Sequence, residues 1–431
     1  MSEQSSPYPR EPYAWSVVGI LLLCYIVSLV DRQILSLLVE PIRRDLRIDD
    51  VEFALLNGIA FSSFYGAFGI FLGRLADCWN RRNMIVIGLL VWCTATAGVS
   101  FASSFAELFF LRMLVGAGEA VLSPAAYSMI ADYFEPRRRS RAAGGYSVGI
   151  YMGSGLSLLL GGAVIAATSQ HPVVHLPLVG GLRGWQAVFL VIGLPGLVVA
   201  ALMLLVREPA RRERLGERIA DVRTLGAFLG REGRLVFSLI LYNSLITMTS
   251  LALLSWLPAM FIRRFGWSAA EIATAYGLVL LVPGSVGVLA GGWIADWLGA
   301  ATGRDGIFLT LQGAAVGLVL CLAGLGLAPS AGLVLAAVAA ATFLLAVPGA
   351  LTIVALYRCT PNEFRGFIVA TNLMAASLLG IGLSPVLVAT LTKYLFRDEF
   401  ALAPAIGVVG ASCAALATCC AVYMRRLKTA G

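Results

Sequence analysis

Charge is what this sequence has least of. Asp, Glu, Lys and Arg make up 13% of the 431 residues, against 59% hydrophobic, and the mean hydropathy is +0.86. A water-soluble exterior cannot be built from so little polar surface, so lipid is the solvent for most of the chain. Lysine is nearly missing, with Lys393 and Lys428 the two examples, and arginine carries the net charge of +8. Because these arginines sit in short gaps between apolar runs, they read as membrane-flanking charges and argue against nucleic acid as a partner. Eight cysteines contain no C-x-x-C and form no even set within one loop, which excludes a disulfide framework and reads them as small core residues. His171 and His175 in "HPVVH" have helical metal spacing, but Pro172 breaks the helix and no acid or Cys joins them. "GAGEAV" lacks the strand that must precede a dinucleotide turn. No cofactor is expected, and no nucleophile with a nearby base supports an enzyme. The first thirteen residues lack a basic start and a small-residue cleavage site, so the first apolar segment is expected to be retained.

Long apolar runs are what the chain has instead. A helix needs about 20 apolar residues to cross the hydrocarbon layer. That ruler gives twelve spans: 14–38, 52–75, 83–103, 106–134, 142–167, 187–206, 235–262, 269–295, 306–327, 331–356, 366–392 and 401–424. The runs do not alternate with period two, which excludes a β-barrel. The longest charged gap, 207–234, falls near the midpoint with six spans on either side. The expected fold is therefore all-α and integral to the membrane. Twelve transmembrane helices form two pseudo-symmetric six-helix bundles, 1–206 and 235–431, joined by a cytoplasmic linker, 207–234. With the amino terminus in the cytoplasm, 22 basic residues lie in cytoplasmic segments and 8 on the opposite face, so both termini are assigned to the cytoplasm.

The gap after span 2 reads "GRLADCWNRR", from Gly73 to Arg82. Gly73 permits close helix approach, Asp77 can accept from exposed N–H groups at a helix start, and Arg81 and Arg82 hold the loop at the surface. Such a charge cluster can lock two bundles together on the cytoplasmic side. A fainter copy in the second half, "GGWIADWLGAATGR", carries Gly292, Asp296 and Arg304. The stretch resembles the signature between helices 2 and 3 of the major facilitator superfamily, G-x-L-A-D-R-x-G-R-[KR], with Cys78 replacing the first Arg and Asn80 the Gly. The strings "DRQIL", "RRDLRIDDVEFALLNGIAFSSFYGAFG", "RMLVGAGEAVLSPAAYSMIADYF", "RSRA" and "VREPAR" resemble the bacterial spinster-like branch, over residues 31–210. That resemblance implies two bundles rocking about a central cavity. It also implies kinship with eukaryotic exporters of lysolipids such as sphingosine 1-phosphate; other branches carry organic anions, sugar acids or drugs.

Charges inside spans are costly and ordinarily face an interior or a water-filled route. Span 1 holds Asp31 and Arg32, and span 4 holds Arg112 and Glu119. At about 1.5 Å per residue, Asp31 and Arg112 both lie about 10 Å below the outer boundary, with Glu119 about 10 Å deeper on the face of Arg112. The resemblance assigns the equivalent Asp, Arg and Glu to proton coupling and anion contact. An acid among Gly and Ala is costly to ionise away from water, which suits Glu119 to taking up a proton. A substrate anion that draws Arg112 away from an acid would leave that acid readier to be protonated; a purely structural salt bridge is the competing reading. Arg32, rotated about 100° from Asp31, is expected to snorkel to the outer interface or pair locally.

Spans 7 to 12 hold no charge away from their ends, leaving Tyr242, Asn243, Thr247 and Asn372 as candidate polar points on the facing wall, or as bonds between helices. In span 5, Gly149, Gly153 and Gly161 allow close helix approach, and no Pro follows Gly153 as in the superfamily's antiporter signature. The expected protein is a monomeric secondary active transporter in the cell membrane of a bacterium. Its expected partners are a small-molecule or lipid substrate, protons and the bilayer. An anionic amphiphile such as a lysolipid is the expected solute, with an organic anion or drug as the alternative and a lipid-acting enzyme as the reading from a different class.

Overall fold

The computed structural model describes residues 8–168, 173–176, 180–211, 222–361 and 364–430. In chain order the helices are α1 Glu11–Leu37, α2 Val39–Leu46, α3 Asp50–Ala54, α4 Phe61–Cys78, α5 Arg81–Val99, α6 Phe105–Glu119, α7 Leu122–Tyr133, α8 Pro136–Thr168 and α9 Gly184–Leu204. They continue with α10 Val222–Phe265, α11 Ala269–Val279, α12 Ser285–Thr302, α13 Gly306–Ala323, α14 Ala331–Ala346, α15 Pro348–Cys359, α16 Arg365–Ala376, α17 Ser384–Thr390 and α18 Leu402–Ala430. One antiparallel hairpin, β1 Val173–Leu176 with β2 Gly180–Arg183, precedes α9.

Among the described residues, eleven helical runs are long and apolar enough to cross a membrane. The remaining span, read as 106–134, is present as α6 and α7, interrupted at Ala120 and Val121. Pro124 supplies the reason, since it has no N–H for the Ala120 carbonyl and its ring crowds that carbonyl. Spans 2, 8 and 11 stay continuous but contain π-helical turns at Leu55–Ala60, Leu280–Gly284 and Ser377–Leu383. The second contains Pro283 and the third precedes Pro385, so each relieves a missing backbone donor. Large apolar side chains are left outside, among them Trp293, Trp297, Leu320 and Leu327 at 67–87% exposure. In water such a surface would aggregate; in a bilayer it is the ordinary outer face.

The chain divides into two compact units, Met1–Leu46 with Ala60–Glu217, and Arg47–Ile59 with Arg218–Gly431. In the first, α1 packs along α8, and α5 packs on α6 and α9. Lipid tails are as apolar as leucine, so helices associate by close packing, which small residues permit. Gly153 and Gly161 serve this purpose, because a Cβ on either would come within 2.6 Å of Leu29 and Ile34 of α1 respectively; Gly149 likewise abuts Leu22. In the second, α18 packs along α10 and α13, and α12 against α13 and α14. Here the helix α10 is unbroken from Val222, so the charged gap expected as linker is helical over nearly its last half, 222–234.

Short turns require capped helix starts, since the first N–H groups have no partner within the helix. Asp49 and Glu52 form a reciprocal box on α3, and Asn80 and Asp305 cap α5 and α13. Burial works to raise the Asp49 carboxyl, but the Lys393 ammonium at 2.5 Å and the Glu52 amide at 2.8 Å outweigh it and hold the carboxyl below its ordinary value. A depressed carboxylate contributes stability above its unfolded pKa, lost as pH falls through the folded value. Melting of the purified protein should therefore show an acid-side loss below about pH 4 that Lys393→Met reduces. The pair is two-fifths exposed, so the shift is expected to be small.

Candidate functional site

The charged residues of spans 1 and 4 meet inside the first unit, Arg112 opposite Asp31 and Arg32 opposite Glu119. Glu119 Oε2 accepts from Arg32 Nε at 2.6 Å, with Nη2 at 2.5 Å, and from Ser28 Oγ at 2.6 Å. Asp31 lies across from Arg112, Oδ1 to Nη1 at 3.8 Å, and its Oδ2 accepts from Thr96 Oγ1 of α5. Two acids thus balance two guanidiniums, which is how buried charge is tolerated in lipid. Phe61 lies beside both cations, its ring centroid 4.6 Å from the Arg32 guanidinium carbon and 5.5 Å from that of Arg112; Tyr65, one turn on, is 4.9 Å from Arg32. These distances are within cation–π range.

Glycine spacing sets the depth of Glu119. A Cβ on Gly116 would run into the Phe61 carbonyl, and one on Gly118 would come within 2.9 Å of the Gly88 carbonyl and the Trp92 amide. The two glycines therefore seat α6 directly on α4 and α5, and Glu119 follows as its last residue. Gly116→Ala is expected to force α4 and α6 apart and to cost about 1–3 kcal/mol, as overpacking does. Thermal melting in detergent checks this, with Gly73→Ala as the comparison, since a Cβ at Gly73 meets nothing within 4 Å.

The cluster is incompletely satisfied. Asp31 Oδ1, Glu119 Oε1 and Arg112 Nε and Nη1 are buried without a hydrogen-bond partner among the described residues. Such groups are uncommon in protein interiors. Accessibility separates the two cations: the Arg112 side chain is 2% exposed and that of Arg32 21%. Arg32, expected to snorkel outward or pair locally, is instead the partner of Glu119 and the more reachable cation. Two signals could have identified it, the four-residue spacing of Ser28 and Arg32 and that of Phe61 and Tyr65, each putting its pair on one helix face. Tyr25, seven residues before Arg32, extends this face with its ring stacked on Tyr146 at 5.1 Å.

In the second unit, the Tyr242 hydroxyl donates to the Leu311 carbonyl of α13 at 2.7 Å, and Thr247 Oγ1 donates to the Asn243 carbonyl at 2.8 Å. Both hydroxyls are spent on helix structure. Asn372 is fully buried, and among the described residues neither the nitrogen nor the oxygen of its amide has a hydrogen-bond partner.

At the turn between α4 and α5, Arg81 is 1% exposed. Its Nη1 donates to Asp132 at 2.5 Å and Ser128 at 2.8 Å, its Nε to Glu208 at 2.8 Å and its Nη2 to the Pro209 carbonyl at 3.1 Å. The Arg82 amide donates to the other Glu208 oxygen at 3.0 Å. The close contact expected of Gly73 is not made among the described residues, Asp296 is exposed, and the Asp77 side chain lies outside them, as does His171.

Residues 21–385 match the family described as Major Facilitator Superfamily. The chain belongs to that superfamily. It is a multi-pass membrane transporter and not an enzyme, with the superfamily's fold of twelve spans in two six-helix bundles. An MFS-type efflux pump of Mycolicibacterium smegmatis is 30% identical over 286 residues, 66% of this chain and 63% of the pump. Protein spinster homolog 3 of Danio rerio is 31% identical over 202 residues, 44% of this chain and 40% of that protein. The chain thus spans under two thirds of either relative. A solved bacterial homolog to the human lysosomal transporter Spinster, inward-facing and unoccupied, superposes with a TM-score of 0.74 at 22% identity, covering 98% of this chain and 96% of the other. The chain is similar to spinster proteins in sequence over part of its length, and to the solved homolog in fold over nearly all of it.

Proposed function

We propose that the protein is a proton-coupled carrier of an anionic amphiphile, such as a lysolipid, working by alternating access. The observation that carries this reading is the Arg32–Glu119 ion pair, whose acid is fully buried and whose cation is partly exposed. A carboxylate or phosphate reaching this region competes with Glu119 for the Arg32 guanidinium, which can donate a forked pair of hydrogen bonds to either. Glu119, buried and deprived of its cation, takes up a proton; when the solute leaves, Arg32 returns and the proton is released. Asp31 and Arg112 form the second pair, with Asp31 able to be protonated in its turn. Rings of Phe61, Tyr65 and Tyr25 beside the cation suit an apolar body attached to the anionic head.

The remaining assignments belong to the same proposal: a monomer in the bacterial inner membrane, both termini cytoplasmic, and bundles 1–206 and 235–431 about the linker 207–234. Tyr242, Asn243, Thr247 and Asn372 form the uncharged wall, with Gly73, Asp77, Arg81, Arg82 and Asp296 as a cytoplasmic gate. The test is uptake into proteoliposomes of a lysolipid against a small hydrophobic organic anion, with and without an imposed proton gradient. Gradient-stimulated, saturable lysolipid uptake that Asp31→Asn lowers is the expected result. Preference for the organic anion would replace the solute, and uptake indifferent to the gradient would remove the coupling.

A further inference from the structure

Span 2 passes from one unit to the other part-way along its length. Its first part, Arg47–Ile59, belongs to the second unit, and from Ala60 the chain belongs to the first. Side chains tie the first part down: Asp50 to Arg263 of α10 at 2.7 and 2.8 Å, Asp49 to Lys393 at 2.5 Å, and the Phe53 ring edge-on to Trp256 at 6.1 Å. Gly58 brings the backbone itself close, since a Cβ there would stand 2.6 Å from the Gly382 carbonyl oxygen. The changeover coincides with the π-helical turn Leu55–Ala60. Proline accounts for the π-helical turns of spans 8 and 11, but residues 50–78 contain none. Such turns are rare and recur at functional positions.

Phe61, the first residue past the turn, meets the charge cluster. It is 1% exposed, its ring stacks on Tyr65 at 5.3 Å, and the guanidinium carbons of Arg32 and Arg112 lie 4.6 and 5.5 Å from its centroid. A buried ring face attracts a desolvated cation, and the attraction holds the ring as firmly as it holds the cation. The Phe61 carbonyl also fills the space that Gly116 leaves open on α6. Phe61 is therefore fixed within the first unit, with Ala60 alone between it and the segment fixed within the second.

We propose that Phe61 is a positioning residue linking the charge pairs to the first part of span 2. While both guanidiniums face its ring, the π-helical turn is held; when Arg32 is drawn away, the turn reverts to α and frees Arg47–Ile59 from α10 and α17. That a solute draws Arg32 away rests on the carrier mechanism proposed above. A π turn contains one residue more than an α turn, and one residue is about 100° of α-helix. Its loss rotates Asp49 and Asp50 off Lys393 and Arg263. The charge pairs and the segment then bias one two-state element, as coupling between separate groups requires.

The test is hydrogen exchange, read by mass spectrometry, of the full-length protein in nanodiscs, comparing residues 47–59 with α5 in the same molecule. Phe61→fluorophenylalanine and Phe61→trifluorophenylalanine keep the shape of the ring and drain electron density from its face. Without solute, residues 47–59 should exchange about 5- to 30-fold faster in the trifluoro variant, the loss of a desolvated cation–ring attraction, with α5 unchanged. The monofluoro variant should fall between. Arg32→Gln should also speed the segment, and its combination with Phe61→trifluorophenylalanine should give much less than the product of the two effects. Lysophosphatidic acid should speed exchange of the same segment in the wild type and add little in the trifluoro variant. Unchanged exchange of residues 47–59 on fluorination would overturn the link. A full product of the two single effects would overturn it too, leaving Phe61 a packing residue only. A wild type indifferent to lysophosphatidic acid would remove that solute from the proposed function, and the solute-free comparison would decide the link by itself.

Discussion

Neutralising Glu119 as Glu119→Gln should strip solute uptake of its dependence on a proton gradient while leaving counterflow of the same solute within a few-fold of wild type. Counterflow needs a solute site and moving bundles but no net proton movement, so an amide that keeps shape and hydrogen bonding at position 119 preserves it. Arg32→Ala should lose both activities. A charge-assisted hydrogen bond to a guanidinium contributes about 1.5–3 kcal/mol, so apparent affinity for the anion should fall about 10- to 150-fold. Arg112→Ala has a different expected signature. With its side chain 2% exposed and its ion partner Asp31 buried beside it, its removal should lower melting temperature first and uptake only as a consequence. If Arg112→Ala abolished solute affinity in a stably folded protein while Arg32→Ala did not, the anion contact would belong to Arg112, as the simplest reading of the sequence has it.

Depth was legible in the sequence, and with it the pairing of Asp31 with Arg112, but the pairing of Arg32 with Glu119 was not. Counting residues along spans 1 and 4 brings Asp31 level with Arg112, because rise per residue is fixed by helix geometry. Which cation faces which acid depends on the rotation of α1 against α6 and on how closely they approach, and these are decided elsewhere, by Gly116 on the Phe61 carbonyl and Gly118 on Trp92. Reading "GAGEA" for the reluctance of its acid to ionise leaves out that the same glycines position that acid. The twelve spans were legible for a related reason, since lipid sets the length of an apolar run. Hydropathy marks where lipid begins, however, and not where a helix begins, so α10 continues through Gly230–Arg234 to Val222 although those residues are polar. Nor does it register the interruption at Ala120 and Val121, where the run stays apolar and Pro124 alone alters the backbone. That Arg47–Ile59 packs with the second unit rests on contacts with residues two hundred positions and more away, which no local pattern encodes.

One of those contacts carries the second large expected effect. Asp50, in the first turn of α3, receives both terminal nitrogens of Arg263 near the end of α10, Nη1 to Oδ2 at 2.7 Å and Nη2 to Oδ1 at 2.8 Å, and both side chains are 7% exposed or less. The forked geometry is the strongest a carboxylate and a guanidinium can adopt, and Arg263 Nη1 also lies 3.3 Å from the Glu399 carbonyl. Arg263→Ala removes that cation from beside a buried acid and should destabilise the protein by about 3–5 kcal/mol, read as a loss of thermal stability in detergent. Asp50→Ala should cost a comparable amount for the converse reason. Replacing the pair together, as Asp50→Leu/Arg263→Met, should recover much of the loss, because the desolvation of both charges then disappears with their attraction. A double variant as unstable as the sum of the single ones would mean that the two side chains stabilise the protein independently, each through contacts other than the pair.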